Sequence, residues 1–171
     1  EEERWKTQIS SKNRNMIRKA EKLGLKYLAE YDFASINEFA ILYKETMDRL
    51  GADGFYYFDE GYYREYIREM SGRGFLGTVR LDGKLLGAAL FMYTGPYGHY
   101  HLAGSDRAYS GYGINNFLLW NTARELKKQG VEQFHLGGGM GASSDDSLFK
   151  FKRSFSRIEK DFYIGKCIFN A

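Results

Sequence analysis

The chain has 171 residues, of which 43% are hydrophobic and one is proline. That is long enough for one domain with a sizeable core and too apolar for disorder. Net charge is only +3, no apolar run approaches the roughly 18 residues of a membrane span, no secretory leader is read, and the lone Cys167 permits neither an internal disulfide nor a cysteine metal cluster, which suits a reducing cytoplasm.

The charges are unevenly spread: seven basic residues face one acidic residue between Trp5 and Lys26, and six face two between Lys150 and Lys166. Two basic ends of this kind attract polyanions through lysine and arginine, although a solvated helix face gives the same composition.

Ser10 and Ser11 precede a helical pattern in which Met16, Ile17, Ala20 and Leu23 share a stripe, and Gly24 ends it. Residues 1–24 therefore read as a basic helix or linker ahead of a single domain spanning 25–171. Leu25 to Tyr31 reads as a strand, and Ser35 with Glu38 as a capping box that opens a helix to about Leu50. Gly51 and Gly54 break the chain before the aromatic run Phe55 to Phe58, and a second helix follows Asp59 to about Ser71. Asp82-Gly83 between the runs Phe75–Leu81 and Lys84–Tyr93 predicts a tight hairpin. A loop holding Gly95, Pro96 and Gly98 leads to a third strand, His99 to Ala103, completing an antiparallel meander. Gly104 to Gly113 reads as loop, Ile114 to Gln129 as a helix stopped by Gly130.

Phe134 to Leu136 is too short and too soon broken by Gly137, Gly138 and Gly139 to be a helix, so it reads as a buried strand. Ser143 or Ser144 then caps a helix that carries Asp145 and Asp146 in its first turn and runs through Phe155, and a last strand falls within Asp161–Phe169. On a helical wheel Leu148, Phe151 and Phe155 form one stripe; Lys152 falls on its side and Lys150 on the opposite one. An inward ammonium needs an anion, a carbonyl or water as partner, which makes Lys152 a candidate site residue; a lysine that snorkels past the aromatic rim is the alternative.

The run LGGG followed by DDSLFKFKRSF, with Phe151, Lys152 and Phe155 as its Phe-Lys-x-x-Phe, resembles the carboxy-terminal signature of the Fem-type peptidyltransferases. Those enzymes attach amino acids to the peptidoglycan side chain, are built from paired GNAT-type acyltransferase domains, and are related to a group of acetyltransferases. The resemblance implies an α/β GNAT-type acyltransferase fold: a mixed central sheet with an antiparallel meander, then a parallel strand pair, and helices on both faces. It also implies a preceding GNAT-type half, consistent with a chain that starts at Glu1 and not at a methionine. In such a fold the strands before and after the long helix lie parallel and splay apart at their carboxyl ends, where acyl donors bind.

On this resemblance no cofactor is required. The acyl donor is aminoacyl-tRNA or, as the alternative, acyl-CoA, and the acceptor is an amine such as that of a peptidoglycan precursor. A noncatalytic module that binds RNA or a cell-wall precursor is a further alternative. No DNA partner, at most peripheral membrane contact and a cytoplasmic location are expected. Lys152 would steady the developing oxyanion or leaving group, Phe151 would wall it, and Asp106 would act as base or orient the amine. Arg107, Gly111, Gly113 and Asn115 at the start of the long helix are the candidates for a phosphate cradle, since helix amino termini bind anions. Arg107 stands one residue too far away for the usual coenzyme A spacing. Arg49, Tyr56, Tyr57, Gly138 and Gly139 are the candidate substrate contacts. His99 and His101 share a strand face, but no third ligand is near in sequence and no metal site is expected; His135 reads as a core histidine.

Overall fold

The computed structural model describes residues 7–139 and 145–161. It divides into two compact units, Ser11–Gly137 and, separately, Glu1–Ser10 with Gly138–Ala171.

The larger unit holds, in chain order, α1 (Ser11–Lys22), β1 (Lys26–Glu30), α2 (Ile36–Leu50), α3 (Glu60–Met70), β2 (Gly74–Leu81), β3 (Lys84–Thr94), β4 (Tyr97–Ser105), α4 (Ile114–Lys128) and β5 (Gln133–His135). Its sheet runs β1-β2-β3-β4-β5. The first four strands are antiparallel neighbours, and β5 joins β4 in parallel. This is the mixed sheet that the family resemblance implies, with the expected parallel pair flanking the long helix.

The central strands are buried on both faces. Leu76, Ala88 and Leu90 point into a cluster with Phe39, Leu42, Tyr43, Tyr63 and Tyr66 of α2 and α3. Their neighbours point the other way: a Cβ on Gly77 would meet Leu118 at 3.3 Å, and one on Gly98 would meet Leu126 at 3.0 Å. Because side chains alternate along a strand, α4 covers the face opposite to α2 and α3. α1 packs on α4 with Ile17 and Ala20 buried, and Asn116 donates to Asn13 across the contact at 2.8 Å.

The Asp82-Gly83 turn forms as predicted, with both residues in the left-handed region (φ 49° and 82°), the geometry that matches the twist of a tight hairpin. The capping box does not form. Ser35 donates its hydroxyl to buried Glu30 at 3.0 Å and accepts from Arg80 at 2.8 Å, and Arg80 takes Glu38 at 2.7 Å, so both cap residues serve a long-range network. Gly98 belongs to β4 and not to a loop, because the turn is tight at Gly95-Pro96 and the missing side chain lets Leu126 and Val131 close in. β4 also reaches Ser105, past the expected end, and the following segment is a 3-10 turn, Arg107–Tyr112.

In the smaller unit α5 spans Ser147–Arg153. Its cap is Asp146, whose carboxylate accepts from the Phe149 N–H at 2.8 Å, and it ends before Phe155. Ser143, Ser144 and the strand expected within Asp161–Phe169, apart from Asp161 itself, lie outside the described residues.

Candidate active site

Among the described residues the sheet opens between β4 and β5. β4 and β5 pair through Tyr97–Gln133, Gly98–Phe134 and His99–His135, and there the pairing stops, while β4 continues to Ser105. Gly137, at φ 74°, turns the chain after β5 in a conformation that glycine adopts without strain. Just beyond the last pair β4 is bulged: Ala89 faces Ala103 but Phe91 faces Tyr100, so β4 spends one residue more than β3. A bulge re-aims the side chains that follow it and leaves one residue unpaired, which is why bulges gather at working sites. Gly104 then presses against α2, where a Cβ would lie 2.9 Å from the backbone of Leu42 and Tyr43.

The chain has three histidines, and all three meet at this opening. His99 and His135 share one hydrogen bond, Nδ1 to Nδ1 at 2.9 Å, with their rings stacked. One of the two Nδ1 atoms therefore carries the proton and the other accepts it. His101 pairs through Nε2 with the Tyr62 hydroxyl and lies flat on Tyr66, centroids 5.7 Å apart and planes 2° apart. Burial holds the His101 pKa below its ordinary value. Phe58 stacks on Tyr62 at 4.1 Å, and the Tyr66 hydroxyl is committed to the Phe91 carbonyl. Spacing along the sequence brings out only the shared face of His99 and His101; the approach of His135 needs the β4–β5 register, and that of Tyr62 and Tyr66 needs α3. Among the described residues no group of three or more His, Cys, Asp or Glu is arranged to hold a metal ion.

At the carboxyl end of β4 the structure gathers Asp106, Lys84 and Arg49. Asp106 accepts from Lys84 at 2.8 Å and from the Ala108 N–H at 2.9 Å, and Arg49 adds a favourable field. The Lys84 bond, first among these, holds the carboxyl below its usual range. A carboxylate stabilised this way is a weak base, so its geometry makes Asp106 an anchor for the turn into α4.

The turn does not present an open cradle. Gly113, at φ 76°, is closed over by α1: a Cβ there would lie 2.5 Å from the Met16 carbonyl oxygen, and Ile114 is buried. Arg107 and Gly111 are exposed, with open space at Gly111. Asn115 is half-buried, and its Oδ1 is buried without a hydrogen-bond partner. Tyr56 and Tyr57 are exposed after α2. Tyr57 hydrogen-bonds Asp48 and borders a shallow depression of about 250 Å³ shared with Ala40, Tyr43, Lys44, Phe58, Asp59 and Tyr63.

In the smaller unit, Lys152 and Gly138 meet. Lys152 Nζ donates to the Gly138 carbonyl at 2.7 Å, while Lys150 pairs with the exposed Asp145 at 2.8 Å. The two lysines thus separate as the wheel predicts. Burial lowers the Lys152 pKa, and Asp146 opposes the shift. Gly139 sits against Asp146, where a Cβ would fall 2.5 Å from its carboxyl carbon. The glycine run is therefore clasped twice, by the cap of α5 and by its lysine, and Phe151 packs edge-on against Phe155.

Comparison with known proteins agrees with this architecture. An acetyltransferase (GNAT) domain family matches residues 10–153. Among solved structures, FemX superposes with a TM-score of 0.74 at 18% identity, over 86% of this chain and 54% of that one. An aminoglycoside acetyltransferase from an uncultured soil metagenomic sample, in complex with trehalose, gives 0.60 at 14% identity over 85% and 95%. The C-terminal domain of a putative lysylphosphatidylglycerol synthetase from Agrobacterium fabrum gives 0.59 at 19% over 82% and 45%. The chain thus spans about half the length of FemX. No curated protein matches it in sequence.

Proposed function

The chain belongs to the acetyltransferase (GNAT) domain family, and from that premise we propose that it serves the transfer of an aminoacyl group from aminoacyl-tRNA to an amine acceptor such as a peptidoglycan precursor. The observation that carries this choice of donor is the closure of α1 over Gly113 with Ile114 buried beside it. A pyrophosphate would need those backbone N–H groups. An aminoacyl ester makes no such demand, and the basic residues of α1, among them Lys12, Arg18 and Lys22, offer a polyanion a surface instead. The FemX superposition supports the same reading.

Chemistry of this kind relies on position and charge. The amine attacks the ester carbonyl, and a tetrahedral intermediate gathers negative charge on oxygen. Lys152, set beside the glycine run by its bond to Gly138, supplies the compensating charge, and Phe151 walls it. Gly138 and Gly139, beside that lysine in the same unit, would meet the acyl group. A cytoplasmic location belongs to the same reading; among the described residues no helix is long and apolar enough to cross a membrane.

A second reading, N-acyl transfer from acyl-CoA, is favoured by the open space at Gly111. The test is transfer to a lysine-containing precursor by the full-length protein, supplied with charged tRNA or with acyl-CoA. Transfer from tRNA alone supports the proposal. Transfer from acyl-CoA alone overturns it, and salt-sensitive tRNA binding without turnover replaces it with a noncatalytic module.

A further inference from the structure

We propose that Tyr62 and His101 form the relay that takes the proton from the attacking amine, an inference that rests on the acyltransferase reading above. Few groups at the opening of the sheet can serve as a base. Asp106 is committed to Lys84 and to its own turn. His99 is occupied at Nδ1 by His135.

His101 differs from both. Its Nε2 faces a neutral hydroxyl, that of Tyr62, so with the ring proton on Nδ1 the nitrogen accepts and the phenol donates. The phenol oxygen then keeps a lone pair to receive a proton from outside. Both rings are held rigidly: Tyr62 stacks on Phe58 at 4.1 Å, and His101 stacks on Tyr66, itself tied to the Phe91 carbonyl. Phe58 also lines the shallow depression bordered by Tyr57, so one wall serves the depression and the relay. The bulge after Tyr100 is what brings His101 to the edge where β5 no longer pairs. Burial favours the neutral ring, the form a base requires, near pH 7.

The step balances. The neutral amine forms the new C–N bond, and the ester C–O bond breaks with its electrons leaving on the ribose oxygen, which takes a proton from solvent. The amine proton passes to the Tyr62 oxygen as Tyr62 passes its own to His101 Nε2. The imidazolium then returns a proton to solvent, so no net charge is left behind.

The test uses the full-length protein, single-turnover transfer from whichever donor proves active, and a pH–rate profile. His101→Gln keeps an acceptor for the Tyr62 hydroxyl but cannot take up a proton; Tyr62→Phe keeps the stack on Phe58 and removes the relay. Both are expected to slow transfer about a hundredfold or more, within the usual range for acid–base groups, with little change in KM. The wild-type rate should fall as pH drops below the ordinary histidine range, and that limb should vanish in His101→Gln. If His101→Gln does not fold, the Tyr62→Phe rate decides. Wild-type speed in Tyr62→Phe, or wild-type speed and an intact acid limb in His101→Gln, overturns the relay alone. A wild-type protein that transfers from neither charged tRNA nor acyl-CoA overturns the acyltransferase reading and the relay with it.

Discussion

Replacing Lys152 by methionine separates charge from packing. Methionine keeps most of the stem, so α5 retains its apolar contacts, and the variant loses the 2.7 Å bond to the Gly138 carbonyl. Gly138 is exposed, so water replaces the donor, and the net cost to stability is about 1 kcal/mol or less. Removing a charge that burial already disfavours works in the opposite direction. The effect on transfer is of another size. An ammonium beside a developing oxyanion is worth about 3 kcal/mol on the scale of one lost oxyanion donor, which is roughly a hundredfold in rate. Lys150→Met is the control: its partner Asp145 is almost fully exposed, so it is expected to change neither rate nor melting. Steady-state kinetics and thermal melting on both variants of the full-length protein check this. Equal activities, or a Lys152→Met loss matched by unfolding, would refute the reasoning.

Gly104→Ala is expected to lower stability by about 1–3 kcal/mol, the usual scale of overpacking, because its Cβ meets backbone of α2 at 2.9 Å; urea titration measures it, and a neutral result would mean that α2 yields. Glu30→Ala leaves the Ser35 N–H and two hydroxyls short of their shared acceptor and should cost about 2–3 kcal/mol, read as a lower urea midpoint at unchanged slope. Reversing Lys12, Arg18 and Lys22 to glutamate should abolish tRNA retention on a filter at low salt; full retention would make α1 merely a solvated face. Because the folded pKa of His101 lies below its ordinary 6.5, the unfolded chain binds a proton that the fold excludes, so stability should decline as pH falls through 6.5. His101→Gln should show a flatter melting temperature between pH 7.5 and 5.5, and an unchanged slope would count against the burial of a neutral ring.

What was legible in the sequence was whatever neighbouring residues decide. The Asp82-Gly83 hairpin, the stop at Gly51, the helix that follows Asp59 and the helix that Gly130 stops each rest on local backbone chemistry, and each stands where expected. The misses share another cause. Ser35 and Glu38 have the spacing of a capping box, but Arg80 and Glu30, brought in by the sheet, compete for the same atoms and win. Gly98 and Gly104 look like loop punctuation, yet each marks a helix lying close on a strand. Lys152 was readable from its wheel, whereas its partner Gly138 was not. The histidines were hardest, since their meeting depends on a parallel register and a bulge, and neither leaves a periodic trace.

The bulge and the short β5 are best understood as one device. A sheet that stops pairing between β4 and the strand at its edge gives up ladder hydrogen bonds, a loss that a fold normally limits by keeping its strands matched in length. Here β4 outlasts β5, Gly137 turns the partner strand away, and the bulge sits just past the last paired residues. Any one of these alone would be a minor irregularity. Placed together they create an opening whose rim carries every histidine of the chain, two of them bonded to each other and the third to a tyrosine. Polar side chains of this kind are costly to set beside an aromatic core unless each has a partner. Their hydrogen bonds meet that need inside the protein. The bulge and the early end of β5 thus bring these rings together, and the bonds they make to one another and to Tyr62 hold them there.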